Sequence, residues 1–317
     1  MSQPCINPNP DIAGIGVRVS IYIQAFLNLA CTFIFAKDGK ISSYESGTLS
    51  TSSTNLFLTG CALLLSAFIQ GATSGFSVYH ALIVLNISWI NSFSAILYII
   101  LGVIDFFLSI SFATWFGPGL IQLWSGALFR LIPLSILHLS GMGALGIWVW
   151  SKVNTFGDQP ECTPATFLTI FGHDIAVTSA SLRKGSITLY SIVALPFINL
   201  VIIILVGAVM VALLSLAYYT IRRSFDPWES FDRYILISGG LATALLEVIF
   251  IVDTELMISR SSTLVLPGES AWTFGQTLAM VMVALPLLDT VRACFKSWTG
   301  GADEKSGVKP DEKTNTV

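Results

Sequence analysis

Charge is what this chain has least of. Asp, Glu, Lys and Arg make up 11% of its 317 residues, less than half of the ~25% usual in soluble domains. A soluble protein of this length could bury a large core, but it would still need a charged surface to meet water. The residues for that surface are missing. Hydrophobic residues are 54% of the chain and the mean hydropathy is +0.76, so lipid must be its main solvent. The net charge is only −3, and without a basic stripe there is no case for a nucleic-acid partner. Met1 to Asp11 lacks a basic n-region and an apolar h-region, so no removable signal peptide is expected.

Chemical motifs are missing as well. The chain has no GxSxG, no P-loop and no GxGxxG, and Gly14-Ile-Gly16 is too short to count as one. The histidines are His80, His138 and His173. They show no HxxxH or HExxH spacing, which argues against a zinc site and a zinc-dependent membrane hydrolase. No lysine lies between Ala271 and Val291, which excludes a retinal Schiff base in that stretch. Aromatics, at 12%, are needed for the interfacial belts of a membrane protein and do not by themselves suggest haem or flavin. No catalytic residue, cofactor or metal is therefore expected.

What is present is apolar length. A membrane helix needs about 20 mostly apolar residues. Seven stretches qualify: 14–36, 55–74, 78–107, 131–150, 187–219, 234–252 and 271–291. The expected fold is thus an all-α, polytopic transmembrane helical bundle. Residues 113–129, with WFGPG at Trp115 to Gly119, read as a re-entrant or interfacial segment, with a hairpin of two short spans as the alternative. The Ser/Thr/Gly-rich 38–53 and the long 151–186 read as loops, and the polar 299–317 reads as a disordered tail. With seven spans, one face carries Lys37, Lys40, Arg130, Arg222, Arg223, Arg233, Arg292, Lys296, Lys305, Lys309 and Lys313, and the other carries Arg18, Lys152, Arg183, Lys184 and Arg260. The richer face should be cytoplasmic, which puts the N-terminus outside and the C-terminus inside.

In that topology Cys5 and Cys162, of five cysteines, share the oxidising side, where they either bridge or stand unrelated. The sequon Asn86-Ile-Ser88 falls inside the third span, out of reach of glycosylation.

Ionisable groups inside spans are costly and are candidates for function by default. Arg18 lies one turn into the first span, Asp105 toward the inner end of the third, and Asp289 at the inner end of the seventh. Glu247 lies in the outer half of the sixth, followed by Asp253 and Glu255. Glu247 and Glu255 are eight residues apart and share a helix face if the helix continues, while Asp253 points elsewhere. Arg18, Gln24, Glu247, Asp253, Glu255 and Gln276 are therefore the candidates for an outer polar pocket. The competing reading is a packing lock between the first and sixth helices, or snorkelling of Arg18 to the surface. Asn28, Asn86, Asn91 and Ser92 are explained by interhelical hydrogen bonds.

Four strings carry a resemblance: NPDIAGIGVR from Asn9 to Arg18 with Tyr22 and Gln24, YHALIVLNISWIN from Tyr79 to Asn91, DTELMI from Asp253 to Ile258, and WTFGQ from Trp272 to Gln276 with Pro286. In this order they resemble a group of fungal multi-pass membrane proteins with no assigned activity. The resemblance implies an all-helical membrane protein and brings no ligand or catalytic residue with it. Two functional expectations remain. One is a non-enzymatic, receptor-like or sensor protein with seven helices. The other is a channel or transporter, for which Pro196 and Pro286 within spans speak. Plasma or secretory-pathway membrane is the expected location, and the lipid bilayer the one partner that can be named.

Overall fold

The computed structural model describes residues 4–35, 43–73, 76–116, 119–202, 205, 209, 213, 216 and 231–303. Its helices are α1 (Pro10–Ala13), α2 (Ile15–Phe35), α3 (Ser43–Thr73), α4 (Val78–Phe116), α5 (Gly119–Ser151), α6 (Ala180–Ala194), α7 (Phe231–Ser261) and α8 (Phe274–Asp303). Among the described residues five helical stretches are long and apolar enough to cross a membrane: Pro10–Ile34, Gly47–Thr73, Val78–Ile99, Arg130–Ser151 and Phe274–Phe295. This is an all-helical architecture of the multi-pass membrane kind. Of the expected fifth span, 187–202 and positions 205, 209, 213 and 216 are described and the rest lies outside the described residues, and the expected sixth lies within α7.

The α4 stretch is the centre of the bundle: 88% of it is buried, against 22% of the α8 stretch. α4 packs on α2, α3, α5 and α7, while α8 lies against α2 and α6 against α5. Two apolar clusters fill the interior. One gathers Ile12, Ile21, Leu64, Leu82, Leu145 and Met257, and the other gathers Cys31, Phe57, Ala95, Tyr98 and Leu131. Alongside them the interior holds a set of buried polar side chains, here called the polar band. Gln24, Asn28, Asn91, Ser94, His138 and Glu247 belong to it.

Several boundaries differ from expectation, each for a local reason. Part of the expected 38–53 loop is helix, since α3 begins at Ser43. Its hydroxyls bond back into the helix, Thr51 Oγ1 to the Gly47 carbonyl (3.0 Å) and Thr54 Oγ1 to the Ser50 carbonyl (2.7 Å), so polar side chains cost the helix little here. Residues 113–116 end α4 and 119–129 begin α5. α6 starts ahead of position 187 and stops before Pro196, with Leu195 extended (φ −75°, ψ 113°) as a residue preceding proline prefers. α7 continues past 252, which places Asp253 and Glu255 on the helix, and α8 runs to Asp303, into the expected tail; residues 304–317 lie outside those described.

The long 151–186 connection is not all loop. It contains a 3₁₀ turn (Pro160–Ala165) and a hairpin of β1 (Phe167–Ile170) and β2 (His173–Ala176), paired antiparallel from Phe167 opposite Ala176 to Ile170 opposite His173. The two turn residues, Phe171 (φ 50°) and Gly172 (φ 78°), are both left-handed. That is the backbone twist a two-residue hairpin needs, with glycine supplying one of the two positions at no steric cost.

Candidate functional site

The six polar candidates separate into distinct contacts. Arg18 is aimed by the break between α1 and α2, where Gly14 is extended (φ −63°, ψ 148°). Its Nε donates to the Ala13 carbonyl (2.8 Å), and its Nη1 donates to Glu255 Oε1. Tyr22 Oη, one turn along α2, donates to the same oxygen (2.9 Å). Arg18 is nearly buried and Glu255 is half-exposed. Arg18, Tyr22 and Glu255 thus form a polar lock between α2 and α7.

Gln276 is used up in the same way. Its Oε1 accepts from Gly16 N (2.8 Å) and its Nε2 donates to the Ala271 carbonyl (2.7 Å), which seats the start of α8 on α2. Gly16 is small for this reason, because a Cβ there would come within 2.8 Å of Gln276 Cβ. Gln24 sits deeper and accepts from Thr59 Oγ1 of α3 (3.4 Å). Glu247 is fully buried and accepts from Ser94 Oγ of α4. Neither Gln24 nor Glu247 touches Arg18.

Asp253 does something sequence reasoning missed. Its two oxygens accept from the backbone N–H groups of Phe171 and Gly172, both at 2.8 Å, and so hold the tip of the hairpin. Arg260, two turns on, donates to the Gly172 carbonyl (2.9 Å) and to Asp174 Oδ1 (2.7 Å). α7 thus moors the hairpin from both sides of its turn. The signal in the sequence was an acid at the outer end of a span, on a different face from Glu247 and Glu255; that its partner would be backbone was not legible.

Beneath the hairpin lies a cavity of about 200 Å³ between α4, the end of α5, α6 and α7. Its wall is mostly apolar and aromatic, with Leu85, Trp89, Trp150, Tyr190 and Phe250, and its polar points are Asn86, Thr169, Ser186 and Asp253. Trp89 Nε1 donates to Tyr190 Oη (3.3 Å), fixing both rings. The indole N–H of Trp150 is buried without a hydrogen-bond partner. A concave, apolar, aromatic wall with a few convergent polar groups is the usual form of a small-molecule site. Asn86, the discounted sequon residue, is buried on this wall.

No family model, curated protein or solved structure matches this chain. The site must therefore be read from its own geometry.

The N-terminal segment and the long connection close the same end. Cys5 and Cys162 are paired, with their Cα atoms 5.9 Å apart. Cys5 N and Ile6 N both donate to the Leu264 carbonyl (2.8 and 2.9 Å), and Leu266 N returns a bond to the Ile6 carbonyl (2.8 Å). Glu269 accepts from Asn9 N (2.7 Å) and faces His80 Nε2 (3.2 Å). Among the described residues no group of three or more His, Cys, Asp or Glu side chains is placed to hold a metal ion.

Proposed function

We propose that this chain is a non-enzymatic, receptor-like or sensor membrane protein of seven spans, with its N-terminus outside and its C-terminus inside. Its ligand is a small, largely apolar molecule, of aromatic character, held beneath the hairpin. The single observation that carries this reading is the roofed cavity. A preformed apolar space of about 200 Å³ is covered by a hairpin whose tip is fastened by Asp253. The cystine of Cys5 and Cys162 at the same end suits an oxidising, external face, and the Lys/Arg count assigns the opposite face to the cytoplasm.

The test is a thermal-unfolding titration of the full-length protein in lipid nanodiscs with indole and 1-naphthol as probes. Wild type should gain stability saturably with probe. Ser186→Trp, which fills the cavity from its wall, should lose that gain while keeping its own unfolding transition. Equal stabilisation of both proteins would mean the probes act through the lipid and would defeat the reading. A channel or transporter is the second reading, favoured by the buried polar band. Ion or solute flux in proteoliposomes, absent from matched liposomes, would favour it over a receptor.

A further inference from the structure

The polar band draws on five helices. Gln24 and Asn28 come from α2, Thr59 from α3, Ser88, Asn91 and Ser94 from α4, His138 from α5 and Glu247 from α7. Asn28 lies roughly 15 Å deeper along α2 than Arg18, at 1.5 Å per residue. By the same measure Glu247 lies about 12 Å along α7 from Glu255. The band is therefore well removed from the outer lock.

Around Glu247 the hydrogen-bond inventory does not balance. Ser94 Oγ donates to Glu247 Oε1, and Asn28 Nδ2 donates to the Ser94 carbonyl (2.7 Å), so α2, α4 and α7 converge on Ser94. Left over are Glu247 Oε2 and Asn28 Oδ1, both buried and without a partner. Asn91, one turn before Ser94 on α4, has both Oδ1 and Nδ2 in the same condition, and Gln24 Nε2 and His138 Nδ1 elsewhere in the band are also without a partner. The exposures of Glu247, Asn28 and Asn91 are 0%, 3% and 0%. Among the described residues the ion pairs are Arg18–Glu255, His80–Glu269, Arg260–Asp174 and Arg292–Asp289, and none of them includes Glu247.

The orphan N–H groups of Asn91 and Gln24 are neutral donors and do not cancel the formal charge of Glu247, which asks for positive charge beside its unpartnered Oε2. An uncompensated carboxylate in so dry a setting is strongly unfavourable. A proton would satisfy Oε2 and a single amide oxygen; a small cation can take several oxygens together. The donor set is hard oxygen with one formal charge, which suits an alkali ion and not a transition metal. We propose that Glu247, Asn28 and Ser94, with Asn91 alongside, form an intramembrane binding site for one monovalent cation of sodium size. The ion joins α2, α4 and α7, so occupancy tightens the centre of the bundle.

The experiment is thermal unfolding of the full-length protein in nanodiscs as NaCl replaces choline chloride at constant ionic strength and pH, paired with equilibrium dialysis against radiolabelled sodium. Wild type should bind one sodium per chain and show a saturable rise of about 2–5 °C. Glu247→Gln keeps the shape and removes the charge. It should unfold at the same temperature in both salts and bind no sodium, while Asp289→Asn, an exposed acid elsewhere, should respond like wild type. Asn28→Ala should weaken sodium binding at least tenfold, and it supplies the deciding measurement if Glu247→Gln does not fold. Three results would each overturn the proposal: no bound sodium in wild type, an unchanged sodium response in either belt variant, or a stability that follows pH and ignores sodium, which would assign the charge at Glu247 to a proton.

Discussion

Removing either partner of the Arg18–Glu255 pair should have unequal consequences, because the two are unequally buried. The Arg18 side chain is 10% exposed and that of Glu255 is 44% exposed. A guanidinium does not shed its charge at any accessible pH. Glu255→Leu therefore strands a buried cation whose remaining described acceptor is the Ala13 carbonyl. Breaking a buried pair costs about 3–5 kcal/mol, and the retained carbonyl bond puts this case near the lower end, about 3 kcal/mol. Arg18→Met leaves a half-solvated carboxylate that still accepts from Tyr22, so the loss is nearer about 1–2 kcal/mol. Thermal unfolding of the purified variants reads both. At about 2–4 °C per kcal/mol for a chain of a few hundred residues, Glu255→Leu should fall by about 6–12 °C and Arg18→Met by roughly half as much. Arg18→Lys should lie between wild type and Arg18→Met, because an ammonium cannot reproduce the fork that serves Ala13 and Glu255 together. Exchanging the two charges, Arg18→Glu with Glu255→Arg, should recover part of the loss. The reasoning is refuted if Arg18→Met costs as much as Glu255→Leu. It is equally refuted if the single losses simply add, within about 0.5 kcal/mol, in the variant that combines Arg18→Met with Glu255→Leu.

Asp253→Ala should free the hairpin tip, raising amide hydrogen exchange at Phe171 and Gly172 at least tenfold with little change at the Arg18 lock. Protection left intact at both amides would mean the hairpin is held by other contacts. Gly146 of α5 faces the Tyr190 ring so closely that any Cβ would run into it; Gly146→Val should cost about 1–3 kcal/mol by overpacking, read as a lower folded yield and unfolding temperature, and a neutral result would mean α6 has room to move. Non-reducing peptide mapping should recover Cys5 and Cys162 in one linked peptide, and free thiols at both positions in mature protein would dispose of the pair. Protease protection of tagged termini should place them on opposite sides of the membrane; both tags on one side would contradict seven spans.

Most of the helical skeleton was legible, because lipid demands long apolar runs and the chain supplies them without ambiguity. Boundaries were less legible. The start of α3 was hidden because Thr51 and Thr54 read as loop-formers, while in place their hydroxyls are absorbed by the helix's own carbonyls. The hairpin was hidden in a connection between spans. Its clue was a short β-rich run, Phe167–Ile170, followed by a two-residue turn ending in Gly172. Among the polar candidates, helical geometry did separate Asp253 from the face shared by Glu247 and Glu255. It carried no information about the chain that Asp253 would meet, since the hairpin reaches α7 from about 80 residues away in sequence. Depth along the helix was the other missing ingredient: Glu247 and Glu255 share a face, yet two turns of rise put one in the polar band and the other at the outer lock.

The central claim, an externally roofed ligand cavity in a multi-pass protein, is tested most directly by thiol labelling in intact cells. Ser186→Cys on the cavity wall and Ala176→Cys on β2, an exposed position off that wall, would be treated with a membrane-impermeant maleimide, with and without indole. The account predicts that both are labelled without permeabilising the cells, and that indole slows Ser186→Cys while leaving Ala176→Cys unchanged. Labelling that requires permeabilised cells, or an indole effect that is the same at both positions, would contradict it.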